Sequence, residues 1–126
     1  MIEAVGHRIV HGGILATILD ETMGWAGIYL LEQLTLTKTM TVDFVQAVTV
    51  GEELRAEAWV QERKGKREAL IKATIFNADH EICAESQGIF TMLTLALARR
   101  MKLTDAAFEK YFFDPLMECK SKSTVS

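Results

Sequence analysis

The sequence predicts an α+β fold in which a long central helix is wrapped by a curved antiparallel sheet. An apolar segment long enough for about five helical turns comes first, and after it the apolar residues change from a helical period to a period of two. Four segments of the second kind follow, separated by short turns that favour hairpins. One helix and a run of antiparallel strands bury their apolar faces together when the sheet curls round the helix.

The central helix is predicted over residues 13–31. Its apolar residues are spread around the circumference rather than confined to one stripe, as in a helix that is buried on most sides. Two adjacent carboxylates, Asp20 and Glu21, lie in its middle. A carboxylate is costly to desolvate, so its presence in such a helix indicates a specific role.

The four strand segments alternate apolar and polar side chains. They are TLTKTMTVDFVQA, ELRAEAWVQER, REALIKATIFN and EICAESQGIFTML. Turn residues separate them at Gly51, at Gly65 within the basic turn RKGKR, and in the segment NADHE. The short connections predict an antiparallel meander, in which each strand pairs with the next one along the chain.

We expect one domain over residues 1–95 and a C-terminal extension over residues 96–126. Only ten residues precede His11, so the N-terminal strand of the domain is expected to be short or missing. In the extension, LTDAAFEKYFF is predicted to form a short helix and the last residues a frayed tail. Cys83 and Cys119 lack a disulfide or zinc pattern and are expected to be small, partly buried hydrophobes.

The composition argues against several classes of protein. The 126 residues include 14 basic and 17 acidic side chains, and the net charge of −3 is unsuited to nucleic-acid binding. The charge-free apolar runs are shorter than the roughly 20 residues that span a bilayer, and the N-terminus lacks the pattern of a signal peptide. We therefore expect a cytoplasmic protein that binds neither nucleic acid nor membrane. A chain of this size is expected to bury apolar surface in a homo-oligomer, a dimer or a dimer of dimers.

Small residues surround Asp20 on its face of the predicted helix. At three, four or seven positions from it are Gly13, Ala16, Thr17, Gly24 and Gly27. A stripe of small residues lets a neighbouring helix or a ligand approach the backbone closely. Asp20 is then either a packing residue, satisfied by a hydroxyl such as that of Thr17, or a functional group. Glu21 points to another side and is expected to be solvated or ion-paired.

The start of the helix is formed by His11, Gly12 and Gly13. The glycines form either a tight turn or an open terminus, whose N–H groups can hold an anion or a developing oxyanion. Eight residues separate Gly12 from Asp20, which is about 12 Å along one helix and too far for both to act on one carbonyl. If both act on one carbon, they come from two antiparallel helices in a two-fold dimer.

The helix segment VHGGILATILDETMGWA resembles the signature of the hotdog-fold acyl-CoA thioesterases of the phenylacetate-pathway, or PaaI-like, type. In that family HGG opens the central helix and an acidic residue follows nine positions after the histidine, which here is the spacing from His11 to Asp20. The stretches TKTMTVDFVQAVTVGEEL and CAESQGIFTML are similar to strands of the family. The resemblance covers about residues 5–95 and implies the hotdog fold.

The resemblance implies hydrolysis of an acyl-CoA thioester at a dimer interface, with no cofactor beyond the CoA of the substrate. The thioester oxygen would lie on the N–H of Gly12, with His11 shaping that pocket. The partner subunit's Asp20 would be general base or nucleophile, and Thr37 falls where the family often has a hydroxyl that positions water or carboxylate. A thiolate leaves readily, so one oxyanion donor and one activated oxygen suffice.

Further candidates for substrate binding are Gly13, Gly24 and the cations of the basic turn, Arg63, Lys64, Lys66 and Arg67. These cations form either a clamp on the phosphates of CoA or an exposed turn kept soluble by charge. Trp25 and Tyr29 either line an acyl pocket or belong to the core. No metal site is predicted, because the spacing of about 12 Å also separates His11 from the helix carboxylates.

Two other functions remain open from the sequence. The first is a non-catalytic module that binds acyl-CoA or an acyl carrier. The second is an enoyl-thioester hydratase or dehydratase, which needs a histidine and a carboxylate converging across the acyl chain.

Overall fold

A computed structural model describes residues 9–102 of the chain. Its elements are α1 (Gly12–Leu31), β1 (Leu34–Phe44), β2 (Arg55–Lys64), β3 (Glu68–Phe76), β4 (Ile82–Leu93) and α2 (Leu95–Arg100). The strands form one antiparallel sheet, and α1 packs against all of them. This arrangement confirms the predicted α+β fold, with a long helix wrapped by a curved sheet.

The order of the strands corrects the prediction of a four-stranded meander. The sheet order is β1-β4-β3-β2, so β1 pairs with the last strand and not with β2. The connection over residues 45–54 forms no hairpin. Its Val48 is buried in the core, and the amide of Val45 donates to the carbonyl of Cys83 at 2.9 Å, which holds the start of the connection against β4. Strands β2, β3 and β4 form the predicted hairpins.

The described part of the N-terminus forms a single bridge rather than a strand. Ile9 is bridged to Thr49, and the amide of Val10 donates to the carbonyl of Val48 at 2.7 Å. These contacts tie the residues before α1 to the connection between β1 and β2. Residues 1–8 lie outside the described part of the chain.

Helix α1 is buried along one stripe. Its buried residues are Leu15, Leu19, Met23, Gly27 and Ile28. The repeat of four keeps these side chains on one side of the helix, where the sheet curls over them. The opposite side is open in the single chain, where Thr17 and Glu21 are exposed and Trp25 is 42% exposed. The prediction of a helix buried on most sides is therefore wrong for one chain, because its own sheet covers only one side.

A β-bulge changes which side chains of β1 face the helix. The register of β1 against β4 shifts directly after Thr37. Met40 and Val42 pack against the core, while the hydroxyls of Thr35 and Thr37 donate to groups of α1. Strict alternation would place these two pairs on opposite faces of the sheet, and the extra residue of the bulge lets both face the helix.

The end of the described chain is held by a second, smaller apolar cluster. The hydroxyl of Thr94 caps α2 by accepting from the amide of Leu97 at 3.1 Å. Ala98 is fully buried against Ile28, Leu34 and Leu93. The first residues of the predicted C-terminal extension therefore pack on the domain. The predicted helix LTDAAFEKYFF and Cys119 lie outside the described residues.

Cys83 is fully buried, which exceeds the predicted partial burial. Burial raises the pKa of its thiol, and the negative charges of Glu52 and Glu81 act in the same direction. The thiol donates a weak hydrogen bond to the carbonyl of Glu81 at 3.7 Å. Because the thiolate is the reactive form, Cys83 is a core residue with little nucleophilic character.

By length and composition alone, α1 is long and apolar enough to cross a membrane. The sequence analysis did not indicate this, because it considered only the runs without a charged residue, which are shorter. The helix also carries Asp20 and Glu21 near its middle and packs its buried stripe against the sheet. Both features are typical of the core helix of a globular domain.

Replacing Gly27 with alanine is expected to destabilise the protein by about 1–3 kcal/mol, because the added Cβ overpacks the core. This Cβ would lie 2.7 Å from Thr35 Cγ2 and 3.1 Å from Ile71 Cδ1. Gly24→Ala is the matched control: its Cβ would meet nothing within 4 Å, so the gain in helix propensity of about 1 kcal/mol should remain. Urea unfolding at one chain concentration measures both. Equal effects of the two substitutions would contradict the observed packing.

Candidate active site

The carboxylate of Asp20 is held by a hydroxyl from the sheet. Asp20 is half-buried in α1, and its Oδ1 accepts a hydrogen bond from Thr37 Oγ1 at 2.6 Å. The bulge in β1 gives Thr37 this orientation. The alternative that Thr17 satisfies Asp20 is wrong, because the hydroxyl of Thr17 donates to the carbonyl of Gly13 at 2.8 Å. Within residues 9–102 no second donor reaches the carboxylate, so it keeps acceptor capacity for a water or a substrate.

A cavity of about 260 Å³ opens beside this pair. Its walls come from α1, β1 and β4, and its lining residues are Asp20, Glu21, Gly24, Trp25, Ile28, Thr35, Leu36, Thr37 and Phe90. The sequence-predicted residues Asp20, Gly24, Trp25 and Thr37 are therefore brought together. Glu21 is exposed and also lines the cavity, although the sequence assigned it to another side.

Residues from the sheet complete the lining of this cavity, and the sequence analysis missed them. Phe90 pairs with Thr37 across β4 and β1, and Leu36 precedes Thr37. Only the pairing of β1 with β4 brings Phe90 to the helix carboxylate. That pairing joins segments about 50 residues apart, so no local pattern indicates it.

His11 caps the N-terminus of α1. Its Nδ1 accepts from the amide of Gly13 at 2.8 Å, and its carbonyl accepts from the amide of Ile14 at 2.9 Å. A neutral His11 in this arrangement carries its proton on Nε2. The amide of Gly13 is thus occupied by the cap, and a Cβ added to Gly13 would lie 2.9 Å from Nδ1 of His11. In the described part of the chain the amide of Gly12 has no acceptor, so it is available to an oxyanion.

An aromatic ring limits the space around Gly12. A Cβ added to Gly12 would lie 3.1 Å from Cζ of Phe44. On the same side, an apolar cavity of about 460 Å³ is lined by Gly12, Leu15, Phe44, Val48 and their neighbours. Phe44 was not among the residues selected from the sequence, where it is one apolar residue in an alternating strand.

The two halves of the predicted site lie apart in one chain. Gly12 begins α1 and Asp20 follows eight residues later, which is about 12 Å along the helix axis. The single chain therefore does not bring the free amide and the carboxylate onto one reacting atom.

Only three of the four cations of the basic turn line the same cavity. Arg63, Lys66 and Arg67 line a cavity of about 510 Å³, and Lys64 does not. Arg100 of α2 joins them, a residue that the sequence analysis did not select. This cavity is separate from the one that contains Asp20.

Within residues 9–102, no group of His, Cys, Asp and Glu is arranged to hold a metal ion.

A long helix wrapped by a curved antiparallel sheet, with a carboxylate facing the sheet from mid-helix, defines a hotdog-fold protein. The chain belongs to the thioesterase superfamily, whose family profile matches residues 7–84. A solved protein of that superfamily is 32% identical, with a TM-score of 0.65 and coverage of 73% of this chain and 68% of the other.

Two further solved structures are similar. A Bacillus halodurans protein determined with CoA is 29% identical, with a TM-score of 0.64 and coverage of 73% of this chain and 64% of the other. The PaaI protein of E. coli, from the phenylacetic acid degradation operon, is 24% identical, with a TM-score of 0.65 and coverage of 71% and 64%. At 24% identity, the likeness to the PaaI protein shows the fold alone. No protein of curated function matches the sequence significantly.

Replacing His11 with alanine is expected to lower the free energy of unfolding by about 0.5–2 kcal/mol, because the cap on the Gly13 amide is lost. Asparagine is a good capping residue, so His11→Asn should recover most of the loss. Urea unfolding of the two variants and the parent protein measures the difference. Equal stability of His11→Ala and His11→Asn would show that the cap contributes nothing.

Proposed function

We propose that the protein hydrolyses an acyl-CoA thioester to a free acid and CoA, without a cofactor. The observation that carries the proposal is the Asp20 carboxylate, held by Thr37 at 2.6 Å in the wall of a cavity, in a member of the thioesterase superfamily. The relative determined with CoA supports a CoA thioester as the substrate.

The residues supply the two functions that thioester hydrolysis requires. The free amide of Gly12 stabilises the negative charge that develops on the carbonyl oxygen. Asp20 either removes a proton from the attacking water or attacks the carbonyl carbon itself. The bond between carbon and sulfur then breaks, and the thiolate of CoA takes up a proton, from Asp20 on the first route or from water on the second. On the second route, a water then hydrolyses the anhydride formed with Asp20, which releases the free acid and restores the carboxylate. The hydroxyl of Thr37 orients the carboxylate for either role.

The reactive site is proposed to lie between two copies of the chain. Gly12 and Asp20 are about 12 Å apart on one helix, so a two-fold axis is needed to bring Gly12 to the partner subunit's Asp20. Two features of the single chain support a partner. The outer side of α1 exposes the large side chain of Trp25, and β1 has no strand on its outer edge within the described residues.

The narrower assignments are proposals of the same kind. The spacing of HGG and Asp20 supports the PaaI-like subtype, with assembly as a dimer or a dimer of dimers. The net charge of −3 and the burial of the α1 stripe support a cytoplasmic protein without nucleic-acid or membrane partners.

Asp20→Asn is expected to reduce hydrolysis by about two or more powers of ten, because the amide neither accepts a proton nor attacks the carbonyl. CoA release, measured with a thiol reagent over short, long and aromatic acyl-CoAs, is the readout. Glu21→Gln is the matched control, since Glu21 lines the same cavity and lacks the bond to Thr37. It should retain most of the activity.

Three results would contradict the proposal. If Asp20→Asn is as active as the parent protein, the carboxylate serves packing and not hydrolysis. Acyl-CoA binding without turnover would favour the binding module. Hydration of an enoyl-CoA without release of CoA would favour the hydratase.

Mixed dimers are expected to show that the site is divided between chains. Gly12→Pro removes the free amide, and proline suits the first helical position after the extended His11, at ψ 137°. Gly12→Pro and Asp20→Asn should each be nearly inactive alone. Co-expressed in equal amounts, they should regain about one quarter of the parent activity, since half the dimers are mixed and each mixed dimer has one intact site.

Gly12→Ala is the control for the mixed dimers. It places the same Cβ against Phe44, 3.1 Å from its Cζ, but keeps the amide. It should therefore be more active than Gly12→Pro. If the mixed dimers are as inactive as each variant alone, Gly12 and Asp20 do not act together in one site shared between two chains.

A further inference from the structure

Gly88 of β4 lies opposite the bulge of β1. It is buried and pairs with Met40, two positions after the extra residue of the bulge. A Cβ added to Gly88 would lie 2.8 Å from the carbonyl oxygen of Thr39 and 3.3 Å from Cβ of Met40. The carbonyl oxygen belongs to the backbone, so no side-chain rotation relieves the contact. Any other residue at position 88 would therefore displace one of the two strands.

The backbone that lies against Gly88 is the segment that turns Thr37 towards α1. Lys38 is the extra residue of the bulge, because its neighbours Thr37 and Thr39 pair with consecutive residues of β4. With regular alternation, Thr37 would lie on the opposite face of the sheet from the core residue Met40. A displacement of Thr39 therefore changes the orientation of the hydroxyl that donates to Asp20 at 2.6 Å.

The same glycine makes room for an aromatic ring of the candidate site. Cε1 of Phe90 lies 3.0 Å from the position that a Cβ of Gly88 would take. Phe90 is fully buried, pairs with Thr37 and lines the cavity that contains Asp20. One added methyl group at position 88 would thus press on the bulge and on a wall of the cavity together.

An ion pair at the bulge is the other interaction that could hold it. Nζ of Lys38 lies 2.7 Å from Oε2 of Glu68, and the lysine side chain is mostly exposed. Exposed ion pairs contribute little to stability, because water and salt screen the charges. The close contact of backbone atoms at Gly88 is the stronger constraint on the bulge.

We propose that Gly88 is a positioning residue, whose lack of a side chain permits the bulge of β1 and so places Thr37 against Asp20. Gly88 contacts neither the substrate nor the carboxylate in this proposal, and it acts through Thr37. Its effect on the rate rests on the proposed hydrolysis. Its effect on the contact between Thr37 and Asp20 does not depend on any reaction.

Gly88→Ala is expected to lower kcat for acyl-CoA hydrolysis about tenfold, as Thr37→Val does, because each loses a hydrogen bond to a carboxylate. The double variant should be no slower than Thr37→Val alone, since the hydroxyl through which Gly88 acts is then missing. An unchanged kcat in Gly88→Ala would overturn the proposal. So would two losses that multiply to about a hundredfold, because Gly88 would then act independently of Thr37.

Two control variants separate the bulge from general effects of overpacking and charge. Ala73→Val also adds volume to a buried residue of the sheet, but Ala73 pairs with Ser86, about 13 Å along β4 from Phe90. Lys38→Met removes the ion pair. Both should keep the kcat of the parent protein per folded chain. A tenfold loss in either control would overturn the proposal, since overpacking or the ion pair would then explain the effect.

A second background keeps the test available if Gly88→Ala does not fold. Phe90→Leu removes the ring atom that the added Cβ would meet and leaves the carbonyl of Thr39 in place. Gly88→Ala is then compared with Gly88 in chains that carry Phe90→Leu. The same tenfold loss of kcat is expected there, and no loss would overturn the proposal.

Crystal structures of the variants separate this proposal from the proposed reaction. The distance from Thr37 Oγ1 to Asp20 Oδ1 should exceed about 3.5 Å in Gly88→Ala and stay near 2.6 Å in Ala73→Val. If that difference appears while the parent protein hydrolyses no acyl-CoA, the positioning by Gly88 stands and the proposed hydrolysis fails. If the parent protein is active and the distance is unchanged in Gly88→Ala, the positioning by Gly88 is overturned.

Discussion

The packing of one stripe of α1 against the curved sheet is the constraint on which the rest of the structure depends. Leu15, Leu19 and Met23 are buried because the sheet curls over one side of the helix. Apolar burial of that stripe fixes the rotation of α1, and the rotation decides what its other residues face. Asp20 is thereby directed to β1, while Trp25 remains exposed. The position of the carboxylate is a consequence of how the apolar residues pack.

Much of the fold is predictable from local sequence, and the errors have physical causes. The period of the apolar residues predicts α1 and the strands closely. It does not predict that β1 pairs with β4, because the partner of a strand is decided by burial and chain geometry over long distances. The buried Val48 shows why: the connection after β1 is itself part of the core, so its turn at Gly51 does not pair β1 with β2 in a hairpin.

The candidate site was partly predictable for a similar reason. HGG and Asp20 lie in one continuous helix, where spacing fixes geometry, so their separation follows from the sequence alone. The orientation of Thr37 depends on a β-bulge that no residue pattern indicates. Arg100 joins the cations of the basic turn only because α2 folds back over the end of β4. Spacing within one element was therefore predictable, as were the two hairpins with short turns. The pairing of β1 with β4 and the position of α2, which depend on contacts between distant segments, were not.

The distance between Gly12 and Asp20 has a consequence for the behaviour of the protein in solution. The helical rise fixes that distance, so neither a side-chain rotation nor a loop movement brings the two groups of one copy together. A reaction that uses both obeys mass action. For the proposed site between two chains, the concentration of assembled sites below the dissociation constant would rise with the square of the chain concentration, so dilution would lower the activity per chain without unfolding any chain.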